Sequence, residues 1–240
     1  MRMVTLATLR IKLYTDSASP DDFRRFAPLP HIAGFTTNPS LMRKAGVSDY
    51  LAYMDEVLPL CQGKPVSFEV IADDLPEMRR QAMLLGRKGD NVFVKIPIMN
   101  TRGEDTCGLV RELCSEGVKV NVTALLALAQ VERVAAAFPA DAIAIVSVFG
   151  GRIADTGVDP MPIMRASKEL IAGMPGVELL WASQREMLNV VQAEECGCDI
   201  ITVQPATLDK LAMLGTDLVD LSRQTVVMFA RDAAASGLSL

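Results

Sequence analysis

The feature that most constrains this chain is a repeat, in which a short β-branched apolar run is followed by a stretch with helical periodicity, again and again along the sequence. The runs fall at 11–16, 33–38, 66–70, 92–97, 119–124, 143–149, 178–183 and 200–205, which is eight in all. Strand–helix alternation favours a parallel sheet, because each right-handed crossover returns the chain through a helix packed on the sheet's face. Eight such units at this length predict an α/β fold of the (β/α)8 TIM-barrel type. The alternation runs without a composition break or long linker, so residues 1–240 are read as one barrel domain. A doubly wound open sheet is the competing architecture.

Helix starts between the runs carry ordinary signals. Ser19-Pro20-Asp21-Asp22 offers an N-cap, a first-turn proline and first-turn acids, and Asp74-Leu75-Pro76-Glu77 repeats the arrangement. A long final helix is expected over 217–234, with Leu218, Leu221, Val226 and Phe229 near helical spacing. That apolar side is expected to pack on a neighbouring subunit, making the protein a homo-oligomer.

Composition excludes several classes of partner. With 24 basic and 29 acidic residues and no Lys/Arg-rich tract, nucleic acid is not expected. The apolar segments are broken by Pro, Gly or charge before the ~18–20 residues a membrane helix needs. The first twelve residues lack a secretory pattern, so a cytoplasmic protein is expected. Five cysteines without framework spacing read as reduced thiols. Cys196-Gly197-Cys198 admits a metal reading, but His31 is the only histidine and no second Cys pair has zinc spacing, so small core filler is preferred and no metal site is expected.

Catalytic groups of such barrels lie at the C-terminal ends of the strands, where polar residues need a reason to interrupt an apolar interior. Asp16 ends the first strand, and Thr36, Thr37 and Asn38 end the second. Glu69 stands on the third, Lys95 on the fourth, Asn121 and Thr123 on the fifth, and Ser147 on the sixth with Arg152 just beyond. Ser183 ends the seventh and is followed by Arg185.

Lys95 is the most informative of these, since alternation puts Phe93 and Lys95 on the face opposite Val92 and Val94. Lysine is almost never fully buried without a partner. One reading is a structural ion pair with Asp16 or Glu69. The other is an amine whose pKa desolvation lowers, so that it attacks a carbonyl carbon, with the two acids moving protons. Ser183-Gln184-Arg185-Glu186 has the capping-box pattern, so Ser183 is expected to close the next helix; with Arg152 and Arg185 the same turn is expected to offer a phosphate site.

These residues resemble the transaldolases, particularly their short single-barrel subfamily, from about Ile11 to Leu214. The matching pieces are Tyr14-Thr15-Asp16-Ser17, Gly34-Phe35-Thr36-Thr37-Asn38-Pro39, Ser67-Phe68-Glu69-Val70, Val94-Lys95-Ile96-Pro97, Asn121-Val122-Thr123, Ser147-Val148-Phe149-Gly150-Gly151-Arg152 and Ala182-Ser183-Gln184-Arg185. The resemblance implies that Lys95 forms an imine with a ketose phosphate and that Asp16 moves the hydroxyl proton whose loss triggers carbon–carbon cleavage. Glu69, with Thr123 and a water, would serve carbinolamine formation and breakdown. It further implies that Thr37, Asn38, Asn121, Ser147 and Phe149 contact the substrate and that Ser183, Arg152 and Arg185 clamp its phosphate, with no cofactor. A dihydroxyacetone unit would stay on Lys95 until an aldose phosphate accepts it.

Within the same resemblance, fructose-6-phosphate aldolases release dihydroxyacetone; they carry Gln at the place of Glu69 and Tyr at the place of Phe149, and lack the equivalent of Asn121. Those three positions favour transfer here. Trp181, Val148 and the loop Met99-Asn100-Thr101-Arg102-Gly103 depart from the family's common pattern and leave donor and acceptor open. A catalytically silent barrel that only binds phosphosugars is the reading from a different functional class.

Overall fold

A computed structural model describes residues 4–237. Its strands are β1 (Lys12–Asp16), β2 (Ile32–Thr36), β3 (Val66–Glu69), β4 (Val92–Pro97), β5 (Val120–Leu125), β6 (Ala144–Val148), β7 (Val177–Trp181) and β8 (Ile200–Val203). They close in sequential order into a parallel barrel, β8 pairing with β1, so the open-sheet alternative is excluded.

Closure divides the apolar side chains into two populations. Inside the barrel, Tyr14, Phe93, Ile145, Leu180, Ala182 and Ile200 pack together, with Ala33 and Phe149 against them. Outside it, residues of opposite parity such as Leu13, Val94, Val146, Leu179 and Ile201 form the larger core between strands and helices. Both faces of each strand are thus covered, which is why the strands read as continuous apolar runs rather than as clean alternations. At the N-terminal mouth Lys12 pairs with Glu178.

The expected helix starts are found, by partly different means. The helix Leu75–Gly86 is capped by Asp74, whose carboxylate accepts from the Glu77 amide at 3.3 Å. The helix Pro20–Phe26 follows Ser19, but the Ser19 side chain makes no cap hydrogen bond; the Ser17 hydroxyl instead donates to Asp22 and accepts from the Ser19 amide.

The final helix runs over Leu218–Ser236, capped by Asp217 through the Val219 and Asp220 amides. None of its residues is buried, and Leu218 and Phe229 are 76% and 62% exposed. Among the described residues, no helix is long and apolar enough to cross a membrane.

Candidate active site

Parallel register brings the polar strand ends together at one mouth of the barrel. Glu69 stands opposite Lys95, Lys95 opposite Asn121, and Asp16 opposite Thr36 across neighbouring strands. These residues line a cavity of about 490 Å³ that also receives Asn38, Thr123, Ser147, Phe149, Arg152, Ser183 and Arg185.

Lys95 lies at the heart of this site and is only 7% exposed. Its Nζ is 3.0 Å from Glu69 Oε2 and donates to the Thr37 carbonyl at 2.9 Å. A buried ammonium needs such partners, and a carboxylate at this distance is also placed to take a proton from it. The structural and chemical readings of Lys95 therefore share one arrangement. Asp16 is half-buried in the wall of the same cavity, where its Oδ1 accepts from the Thr36 hydroxyl at 2.8 Å. Burial pushes the Asp16 carboxyl up from its ordinary pKa; Lys95 and the Thr36 hydrogen bond oppose that shift, and Glu69 adds to it.

The fifth and sixth strands supply a connected polar layer. Ser147 Oγ donates to Asn121 Oδ1 at 2.6 Å, and Asn121 Nδ2 donates to Ser67 Oγ at 3.0 Å. Asn121 is thereby held in a single orientation, with one amide hydrogen and one lone pair left for a ligand. Thr123 Oγ1 is buried without a protein partner, which leaves a hydroxyl available within the cavity wall. Phe149 presents a half-buried ring at the end of β6.

Three of the expected residues have surroundings that the sequence reading did not foresee. The Thr37 side chain does not line the cavity: its hydroxyl donates to the Ser67 carbonyl at 2.9 Å, and its own carbonyl is what serves the site by holding Lys95. Asn38 lines the cavity, but its Oδ1 caps the helix Pro39–Lys44 by accepting from the Leu41 amide at 2.9 Å, so only its amide hydrogens remain to meet a substrate. Ser183 closes no helix; the next helix starts at Leu188, and the free amides of Arg185 and Glu186 donate to Asn189 Oδ1 instead.

Ser183 adopts a left-handed backbone, φ 62°, and its carbonyl sits where a Cβ on Gly151 would be, 1.6 Å away. Only glycine fits there. The turn after β7 is thus seated on the short helix Gly150–Ala154 that carries Arg152. Arg152 and Arg185 are both exposed at the rim, and Arg185 is already engaged: Nε donates to Asp155 Oδ1 at 3.0 Å while Nη2 pairs with Oδ2. Arg185 raises no new charge by itself, since Asp155 offsets it.

Thr202 on the last strand, Gln204 just beyond it, and Gln184 beside Ser183 also line the cavity and were not among the site residues singled out above. Thr202 has the inward parity of Ile200, so the rule applied to the other seven strand ends would have found it. Among the described residues, no group of three or more His, Cys, Asp or Glu side chains is placed to hold a metal ion.

The sequence matches the family Transaldolase/Fructose-6-phosphate aldolase over residues 13–238. The chain belongs to that family. A probable transaldolase of Nitrosopumilus maritimus is 34% identical over 203 residues, 84% of this chain and 87% of the relative. A probable transaldolase of Brucella ovis is 32% identical over 228 residues, covering 95% of this chain and 98% of its own length. Among solved structures, the dihydrodipicolinate synthase of Rhodopseudomonas palustris superposes with a TM-score of 0.57 at 13% identity, over 97% of this chain and 80% of that one. That likeness concerns the barrel alone.

Proposed function

We propose that this family member is a transaldolase that moves a dihydroxyacetone unit from a ketose phosphate to an aldose phosphate through an imine on Lys95. The observation that carries this reading is the Lys95–Glu69 contact of 3.0 Å, on the wall of a cavity that Asp16 also lines. Proton transfer from the ammonium to Glu69 frees the nitrogen lone pair, which attacks the ketose C2; the former carbonyl oxygen takes two protons, one from the attacking nitrogen and one returned by Glu69, and leaves as water, giving the iminium. Asp16 then removes the C4 hydroxyl proton, the C3–C4 bond breaks, and its electrons pass to the iminium as an enamine while the aldose departs. An incoming aldose reverses these steps, Asp16 returning its proton to the new hydroxyl, and water finally releases the ketose from Lys95.

Asn38, Asn121 and Ser147 are read as contacts to the donor hydroxyls, Thr123 as the partner of Glu69 and a water in carbinolamine formation and breakdown, and Ser183, Arg152 and Arg185 as the phosphate end. Phe149 is read as the reason that transfer outruns hydrolysis, because its ring has no hydroxyl with which to orient a water near Glu69. The test is partition: fructose 6-phosphate is supplied with and without an aldose phosphate, and free dihydroxyacetone is compared with the transfer product. Transfer in excess supports the proposal. Free dihydroxyacetone as the main product would make the protein an aldolase, and no turnover with a bound phosphosugar would make it a silent binder.

We read sugar phosphates as the substrates and propose a reaction that uses no cofactor. We read the chain as a single domain of the cytoplasm, where its five free thiols would remain reduced. The uncovered apolar side of the helix Leu218–Ser236 is read as the face that meets a second copy of this chain.

A further inference from the structure

Thr202, on the strand end that closes the barrel against β1, has no role in the mechanism above. It is 5% exposed, lines the cavity, and its hydroxyl oxygen is in hydrogen-bond contact with that of Thr36. Thr36, 3% exposed, is in turn 2.8 Å from Asp16 Oδ1. Three strands, β8, β2 and β1, thus contribute one continuous chain of oxygens ending on the carboxylate.

Proton counting gives this chain a direction. An ionised Asp16 has no proton, so in the Thr36–Asp16 bond Thr36 is the donor. A threonine hydroxyl has one proton, so Thr36 has none left for Thr202, and in the second bond Thr202 must donate. If Thr202 lacked a hydroxyl, the Thr36 oxygen would lose the neighbour that commits its proton to Asp16. Both side chains are enclosed, where hydrogen bonds in series polarise one another.

From this we infer that Thr202 is a positioning residue for Asp16, acting through Thr36 to hold the carboxylate ionised and aimed into the cavity. The inference rests on the proposed role of Asp16 as the base of carbon–carbon cleavage. When Asp16 takes the substrate proton the same chain can reverse, Asp16 donating to Thr36 and Thr36 to Thr202, with only the two hydroxyl hydrogens turning and no heavy atom displaced. The charged groups facing Asp16 are Lys95 from β4 and Glu69 from β3, and neither is touched by a change at Thr202.

The test compares the parent with Thr202→Val, which keeps the shape and removes the hydroxyl, and with Thr202→Ser, which restores it. Carbon-13 NMR titration of the Asp16 carboxyl reads the inference without recourse to turnover: the Asp16 pKa should rise in Thr202→Val and return in Thr202→Ser. In single-turnover assays with fructose 6-phosphate, imine formation on Lys95 should persist in Thr202→Val. Cleavage should fall by about tenfold, a part of the roughly 10²–10⁴-fold that a positioned acid or base contributes, with its acid limb moved to higher pH. An unchanged Asp16 titration would overturn the inference whatever the activity. So would equal losses of imine formation and cleavage without a pH shift, which would mean a merely structural threonine. Failure of the parent itself to form the imine would instead refute the proposed function and leave the NMR result to decide the role of Thr202.

Discussion

Arg185 and Asp155 make an opposed pair of predictions about phosphate recognition. A charge-assisted contact to a phosphate contributes about 1.5–3 kcal/mol. The guanidinium is paired beforehand with Asp155, at side-chain exposures of 43% and 51%, so their attraction is screened. Exposed pairs of this kind are worth about 0.2–1 kcal/mol. Subtracting the second range from the first leaves about 0.5–2.8 kcal/mol for Arg185, so Arg185→Ala should raise KM for fructose 6-phosphate by roughly 2- to 100-fold. Asp155→Asn removes the competitor and should lower KM by about 1.4- to 5-fold. Steady-state kinetics with fructose 6-phosphate measures both, and unphosphorylated dihydroxyacetone as donor serves as the control, which neither change should affect much. Raising the salt should narrow both differences. An increase in KM on Asp155→Asn, or equal losses with phosphorylated and unphosphorylated donors on Arg185→Ala, would refute the reasoning: Arg185 would then support the fold through Asp155 rather than bind phosphate.

Three further outcomes are expected. Phe149→Tyr should raise the release of free dihydroxyacetone relative to transfer by about 10-fold, measured by the partition assay, if the added hydroxyl enters general acid–base catalysis; an unmoved ratio would reduce Phe149 to packing. Exhaustive chelation with EDTA should leave turnover unchanged, whereas loss of activity restored by zinc would support a metal-dependent aldolase. Sedimentation of the full chain should report a homo-oligomer, with the apolar side of the helix Leu218–Ser236 covered by a second copy; a monomer at micromolar concentration would contradict that reading.

The barrel was legible because each strand is buried on both faces, which leaves β-branched apolar runs that stand out against the helices between them. The site was legible for a related reason: a charged side chain such as Lys95 within such a run must have partners, and register supplied Glu69 directly opposite. What escaped the sequence was set by contacts between distant segments. Asp155 lies thirty residues before Arg185, and nothing local in Ala182-Ser183-Gln184-Arg185 reveals that the guanidinium is taken. The capping-box pattern at Ser183 is local, but the turn is decided by the close approach of its carbonyl to Gly151, which leaves Ser183 left-handed and delays the helix to Leu188. Thr37 was expected as a substrate contact, and the structure shows its carbonyl, a group every residue has and no sequence pattern marks, accepting from Lys95.

The central claim is that Lys95 carries the substrate. Borohydride reduction of the protein with fructose 6-phosphate, followed by peptide mass mapping, tests it most directly. The account predicts a reduced sugar-derived adduct on the peptide containing Lys95, dependent on substrate and absent from Lys95→Ala. An adduct that survives Lys95→Ala, or a parent protein that turns over fructose 6-phosphate yet gains no covalent mass, would contradict it.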